Sequence, residues 1–408
     1  MRIAVTGVIG AGKSTLVKRM AKDLLEYEFL SVDDMVRSQY EDPDFQMFLT
    51  EQFGTTLRSE VSALAFKDPA KLLALREHSR SMLEPAIRAA VGNSRWDVVM
   101  EFPLLYETGS LVDSFDFVIN VTCDEAVQRS RVQVRDQASP EKVEAVLSAQ
   151  LSAQVKACLA DYTIDTTDPG QFEVQYRGLV RALSLRGLAL RCNEFFKGRP
   201  QVWAAIEQAY SEPHRAYHTL DHLVSLFASF DAHLRLFAEP RAVELAIWFH
   251  DIVYDVGAAY GENESRSVAK MLEVLDAAPG WRQRLAPQEW SDIAKAAELI
   301  LATKSHSLFS PMLRGGSGLA ADARLFLDMD LGILGEPAHL VMPYDEAIRQ
   351  EFAHVPLAKF AAARVSALQS FEARDRIFMS QPFRHLEVPA RRNLGALIER
   401  WSAIAQEK

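Results

Sequence analysis

The sequence predicts two domains of different fold class: an α/β domain with a parallel sheet over residues 1–186, and an all-α helical bundle over residues 187–408. Short apolar, β-branched runs alternate with helical stretches in the first half, as in a parallel sheet covered on both faces. After residues 185–187, apolar residues recur instead at spacings of three and four, which is typical of amphipathic helices. The length of 408 residues suits two or three domains with separate cores.

The individual elements follow from these patterns. Strands are predicted at 2–6, 97–100 and 117–121, and a helix from Lys13 to about Leu25. In the second half, helices are predicted at 201–210, 220–236, 242–254, 263–277, 290–302, 320–334 and 358–378. The glycine-rich tract at 314–318 is expected to form a loop.

Composition excludes several classes of function. The chain is 49% hydrophobic and 25% charged, which is ordinary for globular proteins and argues against disorder. Its net charge of −10 repels phosphate backbones, so no nucleic-acid partner is expected. Cys123, Cys158 and Cys192 have no ligand spacing and predict neither disulfides nor structural zinc. No targeting segment or membrane span is visible, and the chain is expected to be soluble and cytoplasmic.

A phosphate-binding loop follows the first predicted strand. Gly7-Val8-Ile9-Gly10-Ala11-Gly12-Lys13-Ser14 fits the pattern GxxxxGK[ST] between a strand and a helix. In this pattern, backbone N–H groups converge on phosphate oxygens, the lysine neutralises phosphate charge and the hydroxyl binds Mg²⁺. The sequence therefore predicts ATP with Mg²⁺ as cofactor. The expected contacts are Gly7, Gly10, Ala11, Gly12, Lys13, Ser14 and Thr15, with Ser14 on the Mg²⁺.

Further matches make the first half resemble the dephospho-CoA kinase family over about residues 1–185. They are Asp33 and Arg37; Arg58 and Ala65-Phe66-Lys67-Asp68; Phe102-Pro103-Leu104-Leu105-Tyr106-Glu107; Arg131 and Arg135; Gln150; and Ala160-Asp161-Tyr162-Thr163-Ile164-Asp165. The resemblance implies transfer of the ATP γ-phosphate to the 3′-hydroxyl of dephospho-CoA, the last step of coenzyme A synthesis. It also implies that Asp33 is the base and that Lys13, Arg131 and Arg135 stabilise transferred charge.

The first half also departs from that family. Ser31 and Glu101 stand where the family usually has aspartates, and Val146 where it has a lid arginine. Glu84 replaces a histidine by an anion, which is expected to weaken binding of an anionic acceptor. Two alternatives therefore stay open: a kinase for another nucleoside or nucleotide, and an ATP-binding regulatory domain that controls the second half.

Histidines and aspartates in the second half recur in apolar surroundings. His218 and His222 lie four apart on a predicted helix, so their imidazoles are expected to share one face. His250-Asp251 lies inside a strongly apolar predicted helix. Burying an aspartate there costs free energy unless it is paired or bound to a metal. These residues are therefore candidate metal ligands.

Two later carboxylates, Asp328 and Asp330, also lie in a predicted apolar helix. Residues two apart point to nearly opposite sides, so one ion is expected to take only one of them. The apolar neighbours of Asp330 predict that it is the more buried of the two and the better ligand, with Asp328 second. Mixed histidine and aspartate ligands are typical of a catalytic divalent ion.

These segments resemble the HD-domain metal-dependent phosphohydrolases over about residues 188–408. The matches are Tyr217-His218-Thr219-Leu220-Asp221-His222; Phe249-His250-Asp251-Ile252-Val253-Tyr254-Asp255; Asn263-Glu264 and Ser267; Ala302-Thr303-Lys304 and His306; and Phe326-Leu327-Asp328-Met329-Asp330-Leu331-Gly332-Ile333-Leu334-Gly335. The resemblance implies a divalent metal held by a histidine of the first motif, His250, Asp251 and the late aspartate. It leaves open which of His218 and His222 is the ligand.

The resemblance further implies that His306 supports these ligands or binds a second metal, and that Lys304 contacts a phosphate. The whole chain is thus predicted to be bifunctional: a P-loop kinase fused to an HD-type hydrolase of a phosphate ester. Small nucleotide-like molecules are the expected substrates of both halves.

Overall fold

The structure is a computed structural model, and it describes residues 1–65, 67–136, 144, 147, 150–276, 286–308, 310–313 and 317–406. Contacts between Cα atoms divide the chain into two compact units, Met1–Gly187 and Leu188–Lys408. Across the described ranges, no helix is both long and apolar enough to cross a membrane.

The first unit contains a parallel sheet with strand order β2-β3-β1-β4-β5. The strands are β1 (Arg2–Gly7), β2 (Tyr27–Ser31), β3 (Asp97–Glu101), β4 (Phe117–Thr122) and β5 (Tyr162–Asp165). Ile3, Ala4 and Val5 of the central strand are fully buried, because helices cover both faces of a parallel sheet. The predicted α/β class is confirmed, and the three predicted strands correspond to β1, β3 and β4.

Helices connect these strands, and one further helix follows β5. They are α1 (Lys13–Asp23), α2 (Val32–Gln39), α3 (Pro43–Phe53), α4 (Arg58–Ala65), α5 (Pro69–Asn93), α6 (Leu105–Thr108), α7 (Glu125–Asp136), α8 (Ala153–Leu159) and α9 (Pro169–Phe195). The parallel order brings the segments that follow β1, β2 and β3 to one edge of the sheet. Open parallel sheets bind their ligands at this edge.

The described regular elements of the second unit are all helical. The α-helices are α10 (Pro200–Tyr210), α11 (Leu220–His233), α12 (Pro240–Phe249), α13 (Glu262–Leu275), α14 (Pro287–Thr303), α15 (Gly318–Asp330), α16 (Ala338–Glu351), α17 (Leu357–Glu372) and α18 (Glu387–Gln406). The helical class predicted for this half agrees with the structure. Helices α16 and α18 were not predicted, and residues 314–316 of the glycine-rich tract lie outside the described residues.

Two expectations about the helices that carry the second site were wrong. Helix α11 begins at Leu220, as predicted, so His218 precedes it and does not share a helix face with His222. Helix α12 ends at Phe249, not at residue 254. The reason is tertiary: the guanidinium of Arg215, rather than a following helical turn, donates to the carbonyls of Asp251 (2.7 Å) and Ile252 (3.1 Å).

Candidate active sites

The phosphate loop, residues 7–14, joins β1 to α1 and depends on glycine at both of its ends. A Cβ on Gly7 would lie 2.1 Å from the carbonyl oxygen of Val121, so no side chain fits there. Gly12 has a φ of 94°, in the left-handed region that favours glycine. No side chain caps the N-terminus of α1, which leaves its first N–H groups for an anion. All seven residues predicted to contact the nucleotide lie on this loop or in the first turn of α1.

Lys13 is only 8% exposed. Its Nζ donates to the carbonyl oxygens of Gly7 (3.1 Å) and Val8 (3.0 Å). Burial lowers the pKa of Lys13 to about 8, although the carboxylates of Glu101 and Asp33 act in the opposite direction. The two carbonyl partners of this ammonium are neutral, so a bound phosphate would supply the negative charge that stabilises it.

Ser14 and Glu101 form a second polar pair at the same edge of the sheet. The Ser14 hydroxyl donates to Glu101 Oε1 at 2.9 Å, and Glu101 is the last residue of β3. A hydroxyl and a carboxylate supply the oxygen ligands that Mg²⁺ prefers. Glu101, one of the departures from the kinase family, therefore occupies a position that fits a magnesium ion bound with ATP.

Asp33 lies in the first turn of α2 and is exposed. Ser31, the other departure here, is the N-cap of α2, and its hydroxyl accepts from the backbone N–H of Asp34 at 3.3 Å. Asp33 is close enough to Lys13 to raise its pKa, and it also lines a cavity of about 490 Å³. Asp33 thus lines this cavity, called here the α5 cavity, and lies near enough to Lys13 for the two charges to interact.

The α5 cavity is formed by α2, α5 and residues 102–111, with mostly apolar walls. Glu84 lies in its wall as an ion pair with Arg80, and its carboxylate also accepts from the Ser110 hydroxyl. These two partners lower the pKa of Glu84. The anion that was expected to repel an anionic acceptor is therefore accompanied by a cation on the same helix.

The two predicted arginines lie in different environments. Arg131 is half-buried, and it donates to the hydroxyl (2.9 Å) and the carbonyl (2.8 Å) of Thr166. The Thr166 hydroxyl donates in turn to the carbonyl of Ala11 in the phosphate loop at 2.6 Å. Arg135 is exposed in the last turn of α7. Burial is the main cause of the lowered pKa of Lys13, and the positive charge of Arg135 lowers it slightly further. Val146 lies outside the described residues.

In the second unit, four side chains converge from α11, the end of α12 and α15; they are His222, His250, Asp251 and Asp330, called here the metal cluster. His222 Nε2 lies 3.2 Å from both His250 Nε2 and Asp330 Oδ1, and His250 Nε2 lies 3.1 Å from Asp251 Oδ2. Metal–ligand bonds of about 2.1 Å set neighbouring ligand atoms about 3.0–3.5 Å apart. His222, His250 and Asp251 offer ligand atoms close enough together to share one divalent ion, and Asp330 lies beside them, next to His222.

The carboxylates of the metal cluster favour a bound cation. Without a metal that cation is a proton on His250, and a metal ion would displace it, because a ligating imidazole is neutral. Burial lowers the pKa of His222. Burial acts in the same direction on His250, but the carboxylates of Asp251 and Asp330 outweigh it and raise the pKa of His250 to about 9. Burial opposes ionisation of Asp330, yet hydrogen bonds from His222 and His306 hold its pKa well below the usual range. Asp330 is thus ionised, as a metal ligand must be.

His218 lies at the side of the metal cluster. Its Nδ1 is 2.9 Å from Glu351 Oε2, and its Nε2 is 3.9 Å from Asp251 Oδ2. Glu351 is almost fully buried and also accepts from the backbone N–H groups of residues 216–218. Of the two histidines in the first motif, His222 is the one inside the cluster, and His218 is oriented by Glu351.

The expectation that Asp330 is more buried than Asp328 was wrong. The Asp330 side chain is 13% exposed, whereas Asp328 is fully buried. Asp328 accepts from the backbone N–H groups of Met379 (2.9 Å) and Ser380 (2.6 Å), and so anchors a loop away from the cluster. Asp330 is the carboxylate that faces the histidines, because residues two apart on a helix point to different sides.

Of the two further predicted residues, His306 and Lys304, one contacts the cluster. His306 Nε2 lies 2.9 Å from Asp330 Oδ2, and its φ of 46° is unusual for a residue with a side chain. Lys304 Nζ lies 4.6 Å above the ring of Tyr260. His306 thus contacts a cluster carboxylate directly, and Lys304 is two residues away in the same turn.

Sequence reasoning missed one polar residue near the phosphate loop. Lys156 is fully buried, and its Nζ lies 2.8 Å from the Pro103 carbonyl and 2.9 Å from Glu107 Oε1. The apolar pattern of α8 gives no signal for this, since Val155 and Leu159 are 43% and 55% exposed.

A parallel sheet with a phosphate loop after its central strand defines the P-loop class of nucleotide-binding proteins. The dephospho-CoA kinase family model matches residues 1–169. A dephospho-CoA kinase of Rhodopseudomonas palustris is 31% identical over 189 residues, or 42% of this chain and 92% of the relative. One of Deinococcus radiodurans is 30% identical over 193 residues, or 44% of this chain and 92% of the relative. Through this region, the chain belongs to the dephospho-CoA kinase family.

Among solved structures, the phosphodiesterase domain of the RhoPDE fusion protein from the choanoflagellate Salpingoeca rosetta is 17% identical. It covers 55% of this chain and 90% of its own, with a TM-score of 0.37. The resemblance of the first half to the dephospho-CoA kinases is confirmed, and the resemblance of the second half to the HD phosphohydrolases stays a prediction.

Proposed function

We propose that residues 1–186 phosphorylate the 3′-hydroxyl of dephospho-CoA with ATP and Mg²⁺. The observation that supports this most is the position of Asp33, which lines the α5 cavity and lies near the Lys13 ammonium. A carboxylate there can accept the proton of an acceptor hydroxyl while the γ-phosphate lies on the phosphate loop.

The other residues have roles around this transfer. The phosphate loop and Lys13 bind the phosphates, and Ser14 and Glu101 would hold a Mg²⁺ ion, which would neutralise phosphate charge. Arg131, fixed by Thr166, and Arg135 stabilise charge on the transferred group. Dephospho-CoA joins a diphosphate to a long pantetheine arm whose amides are separated by apolar carbon segments. A cavity with mostly apolar walls and a compensated Glu84–Arg80 pair suits such a molecule.

The test is an ATP-dependent kinase assay with purified wild-type protein and Asp33→Asn. We expect the wild type to form coenzyme A, and Asp33→Asn to bind ATP normally while losing roughly two to four orders of magnitude in turnover, the usual span for loss of a general base. Asp34→Asn is the matched control, because Asp34 is an exposed neighbour paired with Arg37.

The assay also separates the alternatives. If the wild type transfers phosphate to other nucleosides but not to dephospho-CoA, the acceptor is different. If it binds ATP and transfers phosphate to no acceptor, the first unit is a regulatory ATP-binding domain.

We further propose that residues 187–408 form an HD-type hydrolase of a phosphate ester. The metal cluster supports this proposal, because His222, His250, Asp251 and Asp330 are a mixed donor set suited to a catalytic divalent ion. Such an ion, when bound, polarises a phosphoryl oxygen of the substrate. Of the chain's own groups, His306 orients Asp330, Glu351 orients His218, and Lys304 is a cation for a substrate phosphate.

The experiment measures metal content and hydrolysis together. The full chain is reconstituted with Mn²⁺, Fe²⁺, Co²⁺ or Mg²⁺, analysed by mass spectrometry, and assayed with p-nitrophenyl phosphate and its bis-ester. We expect one ion per cluster and hydrolysis of at least one probe. Asp330→Asn should lose both, while Asp255→Asn, at an exposed aspartate outside the cluster, should keep both. Wild-type protein that binds no ion from this series would contradict the assignment.

A further inference from the structure

A fully buried lysine lies between the phosphate loop and the α5 cavity. The Lys156 side chain has 0% exposure, although lysine is almost never fully buried unless it is paired. Moving an ammonium out of water costs free energy that its new partners must offset. The partners of Lys156 therefore indicate what its burial achieves.

Those partners all belong to residues 103–107, called here the acceptor turn. Lys156 Nζ donates to the Pro103 carbonyl at 2.8 Å and pairs with Glu107 Oε1 at 2.9 Å. The same carbonyl accepts from the Thr6 hydroxyl of β1 at 3.2 Å. Pro103, Leu104 and Glu107 line the α5 cavity, so Lys156 holds one wall of that cavity at both of its ends.

The chain just before Lys156 also contacts the phosphate loop. The side-chain oxygen of Gln150 accepts from the backbone N–H of Ile9 at 3.1 Å, and the N–H of Leu151 donates to Glu107 at 3.0 Å. One short segment, residues 150–156, is thus bonded to the phosphate loop at one end and to the acceptor turn at the other. Together with the Thr6 hydroxyl, this segment holds the acceptor turn in position relative to the phosphate loop.

Charge adds a second effect. Asp33, Glu84 and Glu107 all line the α5 cavity, and an anionic acceptor would be repelled by three uncompensated carboxylates. Arg80 compensates Glu84, and Lys156 compensates Glu107. Of these three carboxylates, only that of Asp33, the proposed base, has no ion pair with another described residue.

We propose that Lys156 is a positioning residue for phosphoryl transfer, which fixes the acceptor turn relative to the phosphate loop and neutralises Glu107 for a phosphate-bearing acceptor. This inference rests on the proposed kinase function. Lys156 acts through the Pro103 carbonyl and the Glu107 carboxylate, and it does not touch the reacting atoms.

The experiment compares wild-type protein with Lys156→Met, Lys156→Arg and the surface control Lys22→Met. For Lys156→Met, we expect the KM for dephospho-CoA to rise about tenfold to a hundredfold, the usual cost of a small misplacement. The Kd for ATP should change less than about threefold, because the phosphate contacts of Lys13 and the loop N–H groups remain. Lys156→Arg should recover most of the acceptor KM, and Lys22→Met should match the wild type.

A second measurement does not depend on the acceptor. Hydrogen exchange followed by mass spectrometry should show faster exchange at the amides of Leu105, Thr108 and Gly109 in Lys156→Met than in the wild type, since these amides are bonded within and just after the acceptor turn. Unchanged exchange there, or an unchanged acceptor KM with only a lower kcat, would overturn the positioning role. A wild-type protein inactive on dephospho-CoA but with the expected exchange would instead refute the proposed acceptor and retain the role of Lys156.

Discussion

The phosphate loop of the first unit lies within residues 7–14, whereas the metal cluster of the second unit is drawn from residues 222, 250–251 and 330. The loop binds through its backbone, so its glycines and Lys13 must be consecutive and form a recognisable pattern. The cluster would bind an ion through side chains, so its members need only meet in space. The difference teaches that a backbone-built site can be located from sequence, while a side-chain-built site requires the helix ends to be known.

The largest effect is expected at the phosphate loop. Lys13→Ala removes the side-chain charge next to the bound phosphates and should abolish ATP-dependent phosphorylation. Hydrolysis by the second unit should stay unchanged, because Lys13 lies in a separate compact unit. Both activities are measured on one preparation, with the exposed Lys18→Ala as control. A parallel loss of both activities would contradict the independence of the two sites.

Removing the metal should have the next largest effect, and this time on the second unit. Chelation should abolish hydrolysis and lower the melting temperature of the second unit's transition. An ion that binds only the folded state stabilises it, by about 2.7 kcal/mol when the free ion concentration is a hundred times its Kd. In Asp251→Ala the melting temperature should no longer respond to chelator, because the ligand set is broken. Differential scanning calorimetry of the full chain checks both, and equal chelator responses in the two proteins would remove Asp251 from the site.

A smaller effect should appear in the pH dependence of ATP binding. The pKa of Lys13 is lowered to about 8, and bound phosphates should raise it again because they favour the ammonium. Binding should therefore take up protons above pH 8, where free Lys13 is partly neutral, and almost none at pH 6.5. Calorimetric titrations in buffers of different ionisation enthalpy measure this uptake. Proton release at pH 8.5, or an unchanged uptake in Lys13→Met, would show that another group is responsible.

The smallest effect concerns Glu84. If Arg80 offsets its charge, Arg80→Ala should raise the KM for dephospho-CoA about two- to fivefold, in the range of an exposed ion pair. Adding Glu84→Ala to Arg80→Ala should return the KM towards that of the wild type, because the unpaired anion is then gone. A double variant as weak as Arg80→Ala would mean that Arg80 contacts the acceptor directly.

Much of the fold follows from the sequence alone. The alternation of short apolar runs with helices predicted the parallel sheet, since strands covered on both faces are apolar throughout. Helix α18 was missed, although the sequence carries its pattern. Its buried residues recur at helical spacing; they are Ala390, Leu394, Leu397 and Trp401.

The sequence by itself determined the phosphate loop, because Gly7 and Gly12 are required by backbone geometry at their own positions. It also supplied the residues of the metal cluster, since histidines and aspartates in apolar runs are costly without a partner.

Only the tertiary structure decided which of these residues face each other. His222 rather than His218 lies in the cluster because Glu351, from a distant helix, holds the His218 imidazole to the side. Asp328 is the more buried aspartate because a distant loop bonds to it. Lys156 is buried while Val155 is exposed, against the apolar pattern of their helix, because the ammonium meets Pro103 and Glu107 from another part of the chain. Burial of a polar group depends on partners that local sequence does not contain.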